Sequence, residues 1–179
     1  DEAEKTVSMN VNGTLLVRSK TDKLELTRQF FPSTALSVYN EIYSIKNNSD
    51  KTCIVEIPKS NAVYTTDPSK GTEGSYTIHA DLFNNGSFNL KPNETISFSV
   101  IYSGVKTNET IPAVNAEEEK NKRLELINEI WSKLILETPD QGLNTEFAFG
   151  KIRAAESIFE TKGGPMHGPG GESYYAAIW

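Results

Sequence analysis

The sequence predicts a mainly β chain, an antiparallel β-sandwich followed by two helices, and three observations predict it. Before residue 112 the chain is a succession of short runs with apolar side chains at every second position. Between the runs stand "NNSDK", "TTDPSKGTEG", "NNGS" and "KPNE", rich in the Asn, Asp, Gly and Pro that turns require. After residue 112 the apolar spacing becomes helical. These changes mark boundaries at 1–112 for a sandwich, 113–140 for a linker helix, and 141–179 for a second helix and the loop after it.

Strand candidates cover 14–19, 23–31, 37–47, 52–58, 75–83, 86–90 and 95–103. In the last, Ile96, Phe98, Val100 and Tyr102 alternate with Ser97, Ser99 and Ile101, the period that turns one face inward. Asn85-Gly86 has the residues of a tight hairpin with positive φ, which predicts that 75–83 pairs with 86–90. Seven strands at this spacing predict the antiparallel sandwich.

The first helix is expected within "IPAVNAEEEKNKRLELINEIWSKLILETPD" and is about twenty residues long. Asn115 caps it, Glu118 stands three residues on, and Glu117 to Glu119 complement the positive end of the helix dipole. Leu124, Ile127, Trp131, Leu134 and Ile135 form the apolar stripe, and Glu118 with Lys122 and Glu129 with Lys133 line the wet side. Pro139 ends it. A second helix is expected from about Thr145 to Thr161, stopped by Gly163-Gly164. Ala148, Ile152, Ala155 and Phe159 share one face of it, while Phe147, Ala154 and Ile158 lie on another. Such a helix needs cover on more than one side, and self-association through it is one way to supply that cover.

Composition narrows the function. The chain has 179 residues, 37% of them hydrophobic and 23% charged, enough apolar content for a packed core. Its net charge of −6 and lack of any basic stripe argue against a nucleic-acid partner, since phosphates are neutralised by Lys and Arg. No apolar run approaches the roughly 18–20 residues that span a bilayer, so no membrane insertion is expected. Cys53 is the single cysteine, which leaves no intrachain disulfide; within "TCIVEI" it is expected to be a buried, inert thiol. A first residue of Asp fits either processing after export or trimming. N-x-S/T triplets begin at Asn12, Asn47, Asn85, Asn93 and Asn108, as an Asn-rich composition produces.

No cofactor or metal is expected. His79 and His167 each lack a second ligand at metal-binding spacing, and "GPGGES" lacks the Lys-Ser/Thr of a phosphate loop. No G-x-S-x-G elbow is present, and the carboxylates are too scattered to nominate a catalytic residue. The aromatic end is more informative. Tyr174, Tyr175 and Trp179, beside Glu172 and His167, combine flat apolar faces with polar edges, which suits a sugar ring; core packing is the other use of such residues. Tyr39, Tyr43, Tyr64, Tyr76 and Tyr102 are open to the same two readings, a binding platform or core.

The order of parts, with "LTRQFFPS", "NEIYSIKNNSDKTCIVEI", "FNLKPNETISFSVIYSG" and above all "YYAAIW", resembles the start of a six-hairpin, glucoamylase-like glycoside hydrolase. The resemblance implies an N-terminal β-supersandwich, a linker helix and the first helix of an (α/α)6 barrel, truncated at Trp179. It implies an exported enzyme acting on oligo- or polysaccharide. Tyr175 and Trp179 would line a sugar subsite flanked by Tyr174, Glu172 and His167, and both catalytic carboxylates would lie beyond residue 179, leaving this chain inactive alone. The alternative is a non-catalytic β-sandwich that binds carbohydrate or a protein partner. A third possibility is a structural or assembly domain on which the helices, with Trp131, pack back.

Overall fold

The computed structural model describes residues 3–70, 74–106, 109–161 and 163–168. Seven antiparallel strands form the main sheet: β1 (Lys5–Val11), β2 (Leu15–Lys20), β3 (Leu24–Pro32), β4 (Val38–Asn47), β6 (Asn61–Thr65), β7 (Tyr76–Phe83) and β9 (Thr95–Lys106). Their spatial order is β1-β2-β3-β4-β9-β7-β6. The remaining two strands of this region, β5 (Cys53–Ile57) and β8 (Gly86–Leu90), pair with each other as a small second sheet. The mainly β fold and its sandwich character are therefore present as expected.

Two strands of this region were not foreseen. β1 carries a legible alternation, Val7, Met9 and Val11 against Ser8 and Asn10, but a register shift between Thr6 and Ser8 breaks its pairing with β2. β6 is only five residues long and wholly exposed, so it has no apolar face to announce it.

The expected hairpin between 75–83 and 86–90 does not form. β7 pairs with β6 on one side and β9 on the other, while β8 pairs with β5. Asn84 at φ 63° and Gly86 at φ 145° do make a sharp turn, but it carries the chain from one sheet to the other. Turn chemistry fixes the local reversal; which strand is then paired depends on where the neighbouring apolar faces are buried.

That burial uses both faces of the main sheet. Ile45, Leu82, Ile96 and Phe98 point to the face covered by Val55, Ile57, Phe88 and Leu90 of the small sheet. Phe31, Val38, Ile42 and Ile101 point to the opposite face, where Val114 and Ala116 pack on them. β9 serves both clusters: its even positions face one way near Ile96, and its odd positions Ile101, Ser103 and Val105 are the buried ones further on. A strand that faces a core on each side in turn cannot be read as having one inward face.

Helix α1 (Ala116–Ser132) starts where expected, with the Asn115 side chain accepting from the backbone N–H of Glu117 (3.0 Å) and Glu118 (3.3 Å). It stops earlier than expected. Leu134 adopts φ 50°, and Leu134 and Ile135 are 75% and 68% exposed, so the foreseen stripe is held by Ile127 and the half-buried Trp131 while Leu124, Leu134 and Ile135 lie outside it. Glu129 pairs with Lys133, but Lys122 pairs with Glu119 (2.7 Å), three residues back, rather than with Glu118.

Helix α2 (Gln141–Glu156) begins four residues before the expected Thr145, because the Asp140 carboxylate caps it at Gly142 N (2.8 Å) and Leu143 N (3.2 Å). It also ends sooner. β10 (Ile158–Thr161) and β11 (Gly164–His167) form an antiparallel hairpin, so Gly163 lies in the turn between the strands, Gly164 opens the second of them, and the pair does not stop a helix. Residue contacts divide the chain into two compact units, Asp1–Arg123 and Leu124–Trp179.

In the first unit, Arg123 donates twice to the Gly13 carbonyl (2.9 and 2.8 Å), and Ser33 and Glu119 hydrogen-bond, so the start of α1 is tied to the sandwich by polar contacts as well as by Ala116. In the second, Lys151 of α2 donates to the carbonyls of Ile130, Trp131, Lys133 and Leu134 at 2.6–3.2 Å. It thereby caps the end of α1, where the last carbonyls have no partners within the helix. No helix among the described residues is long and apolar enough to cross a membrane.

Candidate functional site

Of the residues expected to hold a sugar at the aromatic end, Tyr174, Tyr175, Trp179 and Glu172 lie outside the described residues. His167 lies within them, at the end of β11 and exposed, on a strand and not in the expected glycine loop. Its Nε2 stands 3.2 Å from Ser157 Oγ. That hydroxyl also lies 3.0 Å from both the Arg153 and Ala154 carbonyls, to which it donates at the end of α2. A serine whose proton is directed at a backbone carbonyl closes a helix end; it is not presented as a nucleophile to a histidine base.

The described residues that bring most chemistry together are on the main sheet. The segment "YNEIY" of β4 alternates, so Tyr39, Glu41 and Tyr43 share one face while Asn40 and Ile42 take the other. Antiparallel register with β9 sets Tyr39 opposite Tyr102, Glu41 opposite Val100 and Tyr43 opposite Phe98. On the other flank β3 sets Phe30 opposite Glu41 and Arg28 opposite Tyr43. Eight side chains of three strands thus meet on one surface, and five of them are aromatic.

The rings interlock. Tyr43 stacks on Phe98 with centroids 4.7 Å apart and planes 3° apart, and meets Phe30 edge-on at 6.2 Å. Tyr39 and Tyr102 lie 6.3 Å apart, tilted by 53°. At one end, where Phe98 touches the small sheet, the group is continuous with the core. At the other it opens outward: Tyr39 is 41% exposed and Tyr102 half-buried. None of Tyr39, Tyr43, Tyr64, Tyr76 and Tyr102 is fully buried, so these residues make a graded surface, half core and half accessible.

Glu41 is the polar centre. Its Oε2 accepts from the Tyr43 hydroxyl at 2.6 Å, and the Tyr102 hydroxyl interacts with the same carboxylate. Burial, then this neighbouring negative charge, push the Tyr39, Tyr43 and Tyr102 hydroxyls above the ordinary tyrosine range, Tyr43 furthest. All three remain protonated donors across the physiological range. Beside them Arg28 is held by Glu4, at 2.7 and 2.8 Å to its two oxygens, so its charge is already committed.

This arrangement offers flat apolar rings, hydroxyl donors and one carboxylate acceptor. The other carboxylate beside it, Glu4, is taken up by Arg28; the surface sets no base beside a nucleophile and, among the described residues, there is no cluster of His, Cys, Asp or Glu able to hold a metal ion. Cys53 is half-buried, not fully buried as expected, with its thiol 3.5 Å from both Asn47 Oδ1 and Ser49 Oγ. Asn47, the start of one glycosylation triplet, is fully buried, its amide donating to the Lys51 and Leu90 carbonyls, so the folded chain does not present it. In the sequence the tyrosines stand out as a possible platform, while Phe98 is legible only as an inward strand residue and Glu41 not at all; the alternation Y-x-E-x-Y is the available signal for Glu41. No family model matches the chain, and no curated protein matches it.

Proposed function

We propose that this chain is the N-terminal part of an exported glycoside hydrolase acting on oligo- or polysaccharide, in which a β-sandwich supports a helical catalytic domain. The observation that carries this reading is the order of parts: an antiparallel sandwich, a helix tied to it by Arg123 and Glu119, a second capped helix, and then a stretch dense in Gly, Tyr and Trp. In this reading Trp179, Tyr175, Tyr174, Glu172 and His167 line a sugar subsite, and the general acid and base are contributed by other helices of the same protein.

The test compares the natural gene product containing this chain with the 179-residue chain on one panel of polysaccharides, by release of reducing ends. Hydrolysis by the gene product and none by the chain is expected. Turnover by the chain alone, or none by the gene product, overturns the reading.

One observation favours a second reading. The tyrosine surface around Glu41 has the groups of a glycan-binding face without a catalytic pair, which fits a non-catalytic carbohydrate-binding module. That module would bind glycan, and the gene product would leave it intact.

A further inference from the structure

The tyrosine surface does not end at Tyr102. Strand register continues the row Tyr39, Tyr102 into Ala80 of β7 and Ala62 of β6, all on one face. The adjacent row on that face runs Gly104, Ile78, Tyr64. The first row thus runs from two large rings to two alanines, and the second from a glycine to two large side chains. Ala80 and Ala62 make a low strip of this face, a notch by residue size, between Tyr102 on one side and Ile78 and Tyr64 on another. Gly104 leaves the other flank of Tyr102 low, and a Cβ placed there meets nothing within 4 Å.

Exposure agrees with this shape. Tyr39, Tyr64 and Ile78 are all accessible, although the small sheet covers the same face near Ile96 and Leu82. An apolar sheet face awaiting core packing would carry aliphatic side chains. This one carries hydroxylated rings around two alanines and a glycine, with Glu41 as acceptor beside them.

We infer that this notch is a binding site for a neutral pyranose oligosaccharide, with Tyr102 and Tyr39 stacking on a sugar face and Glu41 accepting from a sugar hydroxyl. A pyranose presents axial C–H groups to rings and equatorial hydroxyls to the edges, which matches the chemistry on both counts. The ligand carries no negative charge, because Glu41 beside the rings is a carboxylate and the chain carries a net charge of −6. The site is distinct from the subsite proposed at Tyr175 and Trp179, and it rests on the glycan-directed reading only for the class of ligand.

Isothermal titration of the 179-residue chain with maltohexaose, cellohexaose, xylohexaose and mannohexaose tests the inference, with oligogalacturonate as the charged control. At least one neutral probe is expected to bind and the charged one not. Tyr102→Ala is expected to weaken binding at least tenfold, and Glu41→Gln to weaken it less. Gly104→Val is the sharper variant. It removes no contact, adds a strand-favouring residue into open space, and is expected to keep the thermal midpoint while abolishing binding by filling the flank of the ring.

No binding of any neutral probe, or binding that Gly104→Val and Tyr102→Ala both leave unchanged, overturns the site. The two readings fail separately: absence of binding sinks this site whatever the gene product hydrolyses, and absence of hydrolysis sinks only the enzyme.

Discussion

Glu119 shows how a single residue can be helical in sequence and tertiary in effect. It belongs to an acidic first turn, which local rules already favour at a helix N-terminus. In the fold it is only 4% exposed, accepting from Lys122 Nζ and from the Ser33 hydroxyl, 86 residues away in the chain. Those hydrogen bonds hold its carboxyl below the ordinary value of 4.5, and Arg28 and Ser19 do the same for Glu4. A carboxyl whose folded pKa is depressed stabilises the fold fully above its unfolded pKa, and this contribution is lost as pH falls through the folded value. Thermal melts from about pH 7 down to about pH 3 should therefore show the midpoint dropping below about pH 4.5, and Glu119→Gln should flatten that acid limb. An acid limb identical in the variant would remove Glu119 from the account. At this scale Asn115 was fully legible, since its cap is local, whereas the partner of Lys122 was not. The i,i+4 spacing pointed to Glu118, and burial of Glu119 against Ser33 selected the other neighbour.

Elements follow from the same division. The strands at 24–32, 38–47, 53–57 and 86–90 were readable because a period of two with turn residues at each end is a property of the segment alone. Pairing is not. Asn85-Gly86 supplied correct turn chemistry for a hairpin the chain does not make, because Phe88 and Leu90 are buried against Val55 and Ile57. The helix ends were misjudged for a related reason: Pro139 and Gly163 are strong breakers, but α1 had already stopped at a left-handed Leu134 and α2 at Ser157. Lys151 explains how the first stop is held. Its ammonium meets four carbonyls at the end of α1, so Lys151→Met, which keeps the stem and deletes the donors, should cost about 1.5–3 kcal/mol. Urea unfolding followed by far-UV circular dichroism reads this; an unchanged midpoint would mean that water replaces the ammonium at no cost.

For the whole sandwich the decisive fact is that its main sheet has a core on each face. Phe31, Val38, Ile42 and Ile101 make one, and Val55, Ile57 and Leu90 with their neighbours make the other. Because β4 and β9 contribute to both, the two cores should be lost together. Phe31→Ala, expected to cost about 3–5 kcal/mol, and Ile57→Ala, about 2–5 kcal/mol, should each shift a single urea transition of the sandwich by tyrosine fluorescence and circular dichroism alike. Two separated transitions in either variant would show that the faces unfold independently. The fold class, most strand positions, the Asn115 cap of the first helix and the absence of an intrachain disulfide were legible without the fold, because each depends on residues adjacent in the chain or on composition alone. Only the tertiary structure decided which strands pair, which sheet face is buried where, and that Tyr39, Glu41, Tyr43, Phe98 and Tyr102 become one surface. Register is set by long-range burial, and a shift of one residue would send every one of those side chains to the other face.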